Sequence, residues 1–331
     1  MASLIEDSLG SPESFPVMYQ RASLMDLARQ EGVRAPQSAV LANLDELRDW
    51  VSRVGFPFVL KADGTSGGDG VRIVRTIHEA EKAYGKLKAP IQLARAAKRA
   101  LLDYDKTLLW PSLVRRSNTV SAQTFVAGHE ATSTVACSNG EVLAALHFEV
   151  INKRHDAGPA TVMRLLDHPE MSNAVEKIVR RLRLSGVHGF DFMLEAATGD
   201  AFLIEMNPRT TQVGHLTLGA GRDIPAALAS VMSGSAIHLA AKATENEVIT
   251  LFPQEWMRDP SSPYFRVGHH DVPWGEPGLV QACVRHARKH HAVVGKQKRT
   301  EQLEMSPRLL TVNSTAAAEN SMVASGESRY E

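Results

Sequence analysis

The stretch AFLIEMNPRTTQVG, Ala201–Gly214, is the most informative part of the sequence for the fold. An apolar run is followed within five residues by Glu205, Asn207, Pro208 and Arg209. Side chains alternate along a strand, so Glu205 and Asn207 lie on one side, and Pro208, which has no N–H, ends the ladder. Paired oxygen ligands suit Mg²⁺, and the Arg209 fork suits a phosphate or a developing oxyanion. The stretch alone also fits a strand end with a solvated glutamate and a structural arginine.

The strand before this stretch carries a second acid. Gly186–Leu194 reads GVHGFDFML, with Asp191 between two phenylalanines. An acid inside an apolar strand is unfavourable unless it is paired or bound to a metal. The turn at Ala197–Asp200 makes the two strands antiparallel neighbours, so Asp191 can face Glu205. Two carboxylates this close repel unless a cation lies between them, which favours a metal site.

A glycine-rich hairpin occurs earlier in the chain. The predicted strands Phe56–Lys61 and Val71–Val74 are joined by GTSGGDG at Gly64–Gly70. Neither GxxxxGK[ST] nor a GxGxxG that opens a helix is present. Four glycines free the backbone to direct N–H groups inward, and Lys61 supplies a point charge for a phosphate. The alternative is a flexible hairpin tip with a surface lysine, although a simple hairpin needs only two turn residues.

The composition is that of an ordinary soluble globular protein. The 331 residues are 44% hydrophobic and 22% charged, with a formal net charge of zero, so bulk charge predicts neither a nucleic-acid nor a membrane partner. The longest apolar stretch, Leu216–Ala243, is too interrupted to span a membrane. Cys137 and Cys283 have no metal-like spacing, and the N-terminus lacks the features of a signal peptide. These features predict a cytoplasmic protein.

The motifs stand in a recognisable order. A lysine before a glycine-rich hairpin, an acid after a hinge, and Asp191 followed by Glu205-x-Asn207 resemble the ATP-grasp superfamily. The sequence IEMNPR resembles the form found in carbamoyl-phosphate synthase large chains. The resemblance covers about residues 20–250. It implies an α+β ATP-grasp fold, in which two α+β subdomains clasp the nucleotide between antiparallel sheets.

The resemblance also implies roles for single residues. Asp191, Glu205 and Asn207 match the ligands of Mg²⁺ or Mn²⁺, and Arg209 matches the arginine that steadies the acyl phosphate or the attacked carbonyl. The implied ATP-binding residues are Lys61 at the α-phosphate; Gly64, Thr65, Ser66, Gly67, Gly68 and Gly70 over the β- and γ-phosphates; Gln123, Thr124, Phe125 and Val126 at the adenine; Glu130 at the ribose; and Lys153 toward the γ-phosphate. Relatives often have an acid where this chain has Gln123.

Composition and resemblance together predict the domain organisation. The predicted segments are a loose tail at 1–14, a helix–strand–helix at 15–55, a lid subdomain at 56–126, a C-terminal subdomain with the metal site at 127–250, a proline- and aromatic-rich extension at 251–293, and a disordered tail at 294–331. Only about 18 residues precede the first predicted ATP-grasp helix. A domain usually precedes it in the superfamily, so we expect that this domain comes from a missing part of the chain or from a partner protein, or that the site is reduced.

The implied reaction is an ADP-forming ligation. ATP phosphorylates a small-molecule carboxylate, and an amine or similar nucleophile then attacks the acyl phosphate. Two alternatives remain open: a carbamoyl-phosphate-synthase-like phosphorylation of bicarbonate or carbamate, and a non-catalytic nucleotide-binding subunit. The sequence identifies neither substrate. His215, Arg222 and Asp223 could line the substrate end of the site or serve as packing and capping residues.

Overall fold

The computed structural model describes residues 2–63, 65, 70–90, 101, 117–155, 158–236 and 241–287. Gly64, Ser66, Gly67, Gly68 and the predicted tail at 294–331 lie outside these ranges. The described residues divide into two compact units. The first comprises Met1–Leu251 and Pro263–His270, and the second contains the remaining described residues.

The elements of both units alternate between helices and strands along the chain. The helices are α1 (Ala2–Leu9), α2 (Phe15–Tyr19), α3 (Arg21–Gln30), α4 (Leu44–Val54), α5 (Ile77–Lys88), α6 (Pro169–Leu182), α7 (Ile224–Ser233), α8 (Gln254–Arg258), α9 (Tyr264–Val267) and α10 (277–287). The strands are β1 (Ser38–Leu41), β2 (Phe58–Ala62), β3 (Val71–Val74), β4 (Val120–Thr124), β5 (Gly128–Ser138), β6 (Glu141–Lys153), β7 (Ala160–Leu165), β8 (Gly186–Glu195), β9 (Ala201–Asn207), β10 (Val248–Leu251) and β11 (His269–Asp271).

The smaller sheet of the first unit contains the predicted glycine-rich hairpin. Its strand order is β1-β4-β2-β3, and the paired strands are antiparallel. Phe58 and Leu60 are buried against α4 and α5, in a core that also includes Leu47 and Trp50. Because side chains alternate along β2, its remaining positions face the opposite side, where Lys61 lies. The hairpin prediction is confirmed, since Lys61 pairs with Val71 across β2 and β3.

The larger sheet has the strand order β11-β10-β7-β6-β5-β8-β9. One face buries Phe190 and Phe192 of β8 against α3 and α6, which contribute Met25 and Ile178 to the core. The opposite face has an apolar half on β6, β7 and β10, packed against the buried end of α7. Its other half, on β5, β8 and β9, carries the polar side chains of the candidate site. With its two antiparallel sheets and covering helices, the first unit has the predicted α+β architecture.

The prediction of a loose tail at residues 1–14 is wrong. Residues 2–9 form α1, which contacts β8. Two glycines at positive φ allow this close approach: a Cβ on Gly10 would lie 2.4 Å from the Arg183 carbonyl oxygen, and one on Gly186 would lie 2.0 Å from that of Ser8. Contacts with distant parts of the chain therefore stabilise a short helix whose own apolar pattern covers few residues.

The proline- and aromatic-rich extension predicted at 251–293 contains α8, α9, α10 and β11, and β11 joins the larger sheet. The predicted boundary at residue 250 lies next to Leu251, where the first segment of the first unit ends, and Pro263–His270 also belong to that unit. The strand β7, which follows the polar loop after β6, was not predicted from the sequence. No helix in the described ranges is long and apolar enough to cross a membrane.

Replacing Ser14 tests the docking of the N-terminal segment. Ser14 is buried, and its Oγ donates a hydrogen bond of 2.6 Å to the carbonyl oxygen of Leu182, at the end of α6. We expect Ser14→Ala to lower the free energy of unfolding by about 1 kcal/mol, because the helix-terminal carbonyl loses its donor. Urea unfolding measures this change. The control Ser52→Ala removes an exposed hydroxyl, and an equal loss in both variants would contradict the docking.

Candidate functional site

Three neighbouring strands place polar side chains in one row across the larger sheet. Thr132 of β5 lies opposite Asp191 of β8, and Asp191 lies opposite Glu205 of β9. The β8–β9 register shifts between Asp191 and Phe192, so a local irregularity flanks the pair of acids. The prediction that Asp191 and Glu205 face each other is confirmed.

The Asp191 carboxylate is held by two donors. Thr132 Oγ1 donates to Asp191 Oδ1 at 2.8 Å, and Asn207 Nδ2 donates to Asp191 Oδ2 at 2.9 Å. Burial, together with the nearby Glu205 carboxylate, raises the pKa of Asp191 to about 6. The site therefore holds an acid that uncharged donors fix in place.

Arg21, which sequence reasoning missed, supplies the positive charge beside Glu205. Its Nη2 donates to Glu205 Oε1 at 2.9 Å. Its Nη1 donates to the Ala62 carbonyl at 2.5 Å, and it forms a 3.8 Å ion pair with Asp63. A third acceptor is the Thr65 carbonyl, at 3.3 Å. One guanidinium thus connects β9 to the residues that follow β2. One feature of the sequence could have identified Arg21 as a site residue. It lies in the first turn of α3, where the helix dipole disfavours a cation.

Lys61 reaches the same region from the smaller sheet. The residue is buried, with 4% of its surface exposed, and its Nζ donates to the Ile204 carbonyl at 3.1 Å. Burial lowers the pKa of Lys61 to about 8, although the nearby Glu205 opposes this shift. The ammonium is therefore less solvated than a surface lysine and lies beside the residue that precedes Glu205.

Arg21, Thr132, Asp191, Glu205 and Asn207 line one cavity of about 390 Å³ within the first unit. Arg209 is exposed at its edge, and its Nη2 lies 3.5 Å from Asn207 Oδ1. The lining residues that matter chemically are Arg21, Thr65, Val71, Glu130, Thr132, Asp191, Glu205, Asn207 and Arg209. Residues from distant parts of the chain thus place two cations, three acids and a carboxamide around one space.

The predicted ribose residue Glu130 lines this cavity, and the predicted adenine residues lie at the end of β4 and after it. Gln123 and Thr124 are the last residues of β4, and Phe125 and Val126 connect that strand to β5 of the larger sheet. Gln123 is buried. Ion pairing holds Glu130 Oε1 and Lys153 Nζ 2.6 Å apart, and both residues line an adjoining cavity of about 320 Å³ together with Met193.

Two predicted glycine-loop positions lie within the described ranges. Thr65 Oγ1 donates to the Ala62 carbonyl at 2.8 Å, and the Gly70 carbonyl accepts from the Ala62 N–H at 2.9 Å. A Cβ on Gly70 would lie 1.9 Å from Thr65 Oγ1, so the base of the loop is closely packed and requires this glycine.

Arg222 and Asp223, which could line the substrate end of the site, form contacts that serve packing and capping. Asp223 accepts a hydrogen bond from the Ala226 N–H at 2.9 Å and caps α7. Arg222 pairs with Asp167. His215 is exposed. For Arg222 and Asp223, the geometry favours packing and capping.

The donor set of the cavity fits a hard divalent cation. It offers the carboxylates of Asp191 and Glu205 and the carboxamide of Asn207. Mg²⁺ takes such ligands together with waters and substrate phosphates. This set contains two carboxylates and one carboxamide. Within the described part of the chain, no three or more His, Cys, Asp or Glu side chains form a group that could hold a metal. The donors therefore do not resemble a zinc site.

A comparison with protein-family models matches residues 20–238 to the model described as "Carbamoyl-phosphate synthase L chain, ATP binding domain". The carbamoyl phosphate synthase large chain of Methanosphaerula palustris is 24% identical over 209 residues, covering 62% of this chain and 18% of the relative. The formate-dependent phosphoribosylglycinamide formyltransferase of Bacteroides thetaiotaomicron is 24% identical over 212 residues, covering 62% and 48%. This chain spans less than half the length of either relative.

A solved phosphoribosylamine–glycine ligase from Thermotoga maritima is also similar. It has a TM-score of 0.49 and 17% sequence identity, and the match covers 70% of this chain and 58% of that chain. The phosphoribosylamine–glycine ligase of Ralstonia nicotianae is 28% identical over 137 residues, which is 40% of this chain and 27% of that relative.

The Arg21–Glu205 ion pair can be measured with a double-mutant cycle of Arg21→Gln and Glu205→Gln. The side chains are 12% and 24% exposed, and we expect a coupling in the free energy of unfolding of about 2 kcal/mol, as for hydrogen bonds to charged groups. The matched control is the pair Arg34–Glu170, at 44% and 34% exposure, where we expect a smaller coupling because solvent screens exposed charges. Equal couplings would show that Arg21 is an ordinary surface partner.

Proposed function

Because the chain belongs to the family of the carbamoyl-phosphate synthase L chain ATP-binding domain, an ATP-grasp family, we propose that it is an ADP-forming ligase. The proposed reaction activates a small-molecule carboxylate as an acyl phosphate, which an amine or similar nucleophile then attacks. One observation carries the proposal. The larger sheet and α3 bring charged side chains to a single cavity, with Arg21 beside Asp191, Glu205 and Asn207, and Lys61 of the smaller sheet donates to the Ile204 carbonyl next to Glu205.

The base and sugar of ATP are proposed to bind near the connection between the sheets. Phe125 and Val126 form that connection, and the face of the smaller sheet opposite its helices carries Val59 and Ile73, which pair across β2 and β3. This apolar surface suits a purine, and the Glu130 carboxylate suits ribose hydroxyls as a hydrogen-bond acceptor.

The phosphates are proposed to lie beside Lys61 and Arg21. Lys61 is a point charge, and Arg21 is a planar fork that can hold two phosphate oxygens. Asp191, Glu205 and Asn207 would hold Mg²⁺ or Mn²⁺. Such an ion would supply positive charge against the negative charge that develops during phosphoryl transfer.

In the proposed reaction, a substrate carboxylate oxygen forms a bond to the γ-phosphorus while the bond from that phosphorus to the ADP oxygen breaks. The nucleophile then bonds to the acyl carbon, loses a proton, and phosphate leaves. Arg209, at the edge of the cavity, is placed to hold the acyl phosphate or the oxyanion of the attacked carbonyl. The remaining substrate contacts are proposed to come from another domain or from a partner, since the chain spans only part of its relatives.

A thermal melt with and without Mg-ADP tests the proposal. At one hundred times its dissociation constant, a ligand stabilises the folded state by about 2.7 kcal/mol. We expect Glu205→Gln to remove the magnesium-dependent part of this stabilisation and to abolish ADP formation in a screen of carboxylates with amines. The control Glu149→Gln, on β6 and outside the cavity, keeps both. A chain that melts cooperatively with no Mg-ADP shift would refute the proposal. Mg-ADP binding with no product would favour the non-catalytic alternative.

The affinity for ADP should depend on pH through Lys61. A phosphate binds the protonated ammonium more tightly than the neutral amine, so affinity is highest below the pKa of about 8 and falls as the pH rises above it. We expect a decline of up to about tenfold per pH unit between pH 8 and 9.5. In Lys61→Arg, which stays charged, the profile should be flat. Isothermal titration measures both, and identical profiles would exclude contact between Lys61 and a phosphate.

A further inference from the structure

We propose that Thr132 is a positioning residue for the divalent-cation site: its hydroxyl fixes the carboxylate of Asp191, and through it the carboxamide of Asn207. This inference rests on the proposed function, because the cation is the one that would accompany the nucleotide. Thr132 was not among the residues that sequence reasoning selected. Its strand, β5, is separated by β8 from β9, which carries the proposed ligands Glu205 and Asn207.

The first step of the inference is the orientation of Asp191. A carboxylate has about four lone-pair sites, two on each oxygen. Thr132 Oγ1 occupies one site on Oδ1 and Asn207 Nδ2 occupies one on Oδ2, at 2.8 and 2.9 Å. Donors on both oxygens restrict rotation of the carboxylate and leave a lone pair on each oxygen for a cation.

The second step is the orientation of Asn207. Its amide nitrogen points to Asp191, so its carbonyl oxygen Oδ1 is turned away from that acid, with Arg209 Nη2 at 3.5 Å. The oxygen is the group that can coordinate a hard cation. A fixed Asp191 acceptor therefore selects the orientation of the Asn207 side chain in which Oδ1 is available.

The third step is the rigidity of the donor. Thr132 lies in the middle of β5, directly opposite Asp191, between the buried residues Ala131 and Ser133. Its branched Cβ restricts the χ1 angle, so the backbone and rotamer together define where the hydroxyl lies. Its single proton is committed to Asp191, which makes it unsuited to donate to a substrate.

The matched control is Thr134, on the same strand and the same face. It is fully buried, and its hydroxyl pairs with that of Thr211. Thr132→Val and Thr134→Val each remove one hydroxyl from β5 with little change of volume. The first removes a donor to Asp191 and the second does not. Thr132→Ser restores the donor with a freer side chain.

The experiment titrates Mn²⁺ into each variant at saturating ADP and follows free Mn²⁺ by electron paramagnetic resonance. Thermal melts in parallel verify folding. We expect Thr132→Val to raise the Mn²⁺ dissociation constant about 10- to 100-fold, the usual effect of removing a partner of a metal ligand. Thr132→Ser and Thr134→Val should stay near wild type. Affinity for ADP without a divalent cation should be unchanged in all of them.

Two outcomes would overturn the inference alone: wild-type Mn²⁺ affinity in Thr132→Val, or equal weakening in Thr132→Val and Thr134→Val. If Thr132→Val does not fold, Thr132→Ser against Thr132→Ala makes the same comparison, and equal affinities again overturn it. If wild type binds no Mn²⁺ with ADP, the proposed function fails, and this inference fails with it.

Discussion

The structure depends on the pairing of two acids on adjacent antiparallel strands. Asp191 and Glu205 face each other directly, and like charges in that position repel unless something neutralises them. Arg21 forms an ion pair with Glu205, while the donors to Asp191 within the described ranges are the uncharged groups of Thr132 and Asn207. The compensation is therefore unequal. A row of residues arranged only for stability would give each acid a cation or would replace the acids with apolar side chains.

The same constraint links the two sheets. Arg21 bonds to Glu205 of the larger sheet and to the Ala62 carbonyl at the end of β2, while Lys61 bonds to the Ile204 carbonyl beside Glu205. Two cations from outside the larger sheet thus converge on one stretch of β9. Under the proposed function, a cation bound at Glu205 would compete with Arg21 for that carboxylate. The guanidinium would then be free for a phosphate, so cation and phosphate binding would favour each other.

The sequence predicted the features that depend on neighbouring strands and local turns. The glycine hairpin, the facing of Asp191 with Glu205 and the strand β9 all follow from alternation and turn chemistry. Arg21 and Thr132 were missed because their roles come from contacts 184 and 59 residues away along the chain. Likewise α1 was missed because glycines far apart in sequence permit its docking. Local sequence patterns indicate which chemical group a residue supplies, whereas the tertiary fold determines which residues that group contacts.

The two large pKa shifts in the site point in opposite directions and have one explanation. Burial raises the pKa of Asp191 to about 6 and lowers that of Lys61 to about 8, so each shift disfavours the charged form. Within the described ranges, neither Asp191 nor Lys61 forms an ion pair, although Glu205 acts on both groups. The two groups do not satisfy each other, because Lys61 donates to a backbone carbonyl and Asp191 accepts from uncharged donors. A divalent cation carrying phosphates would supply both missing charges at once, which is why this ligand class suits the cavity better than an anion or a cation alone.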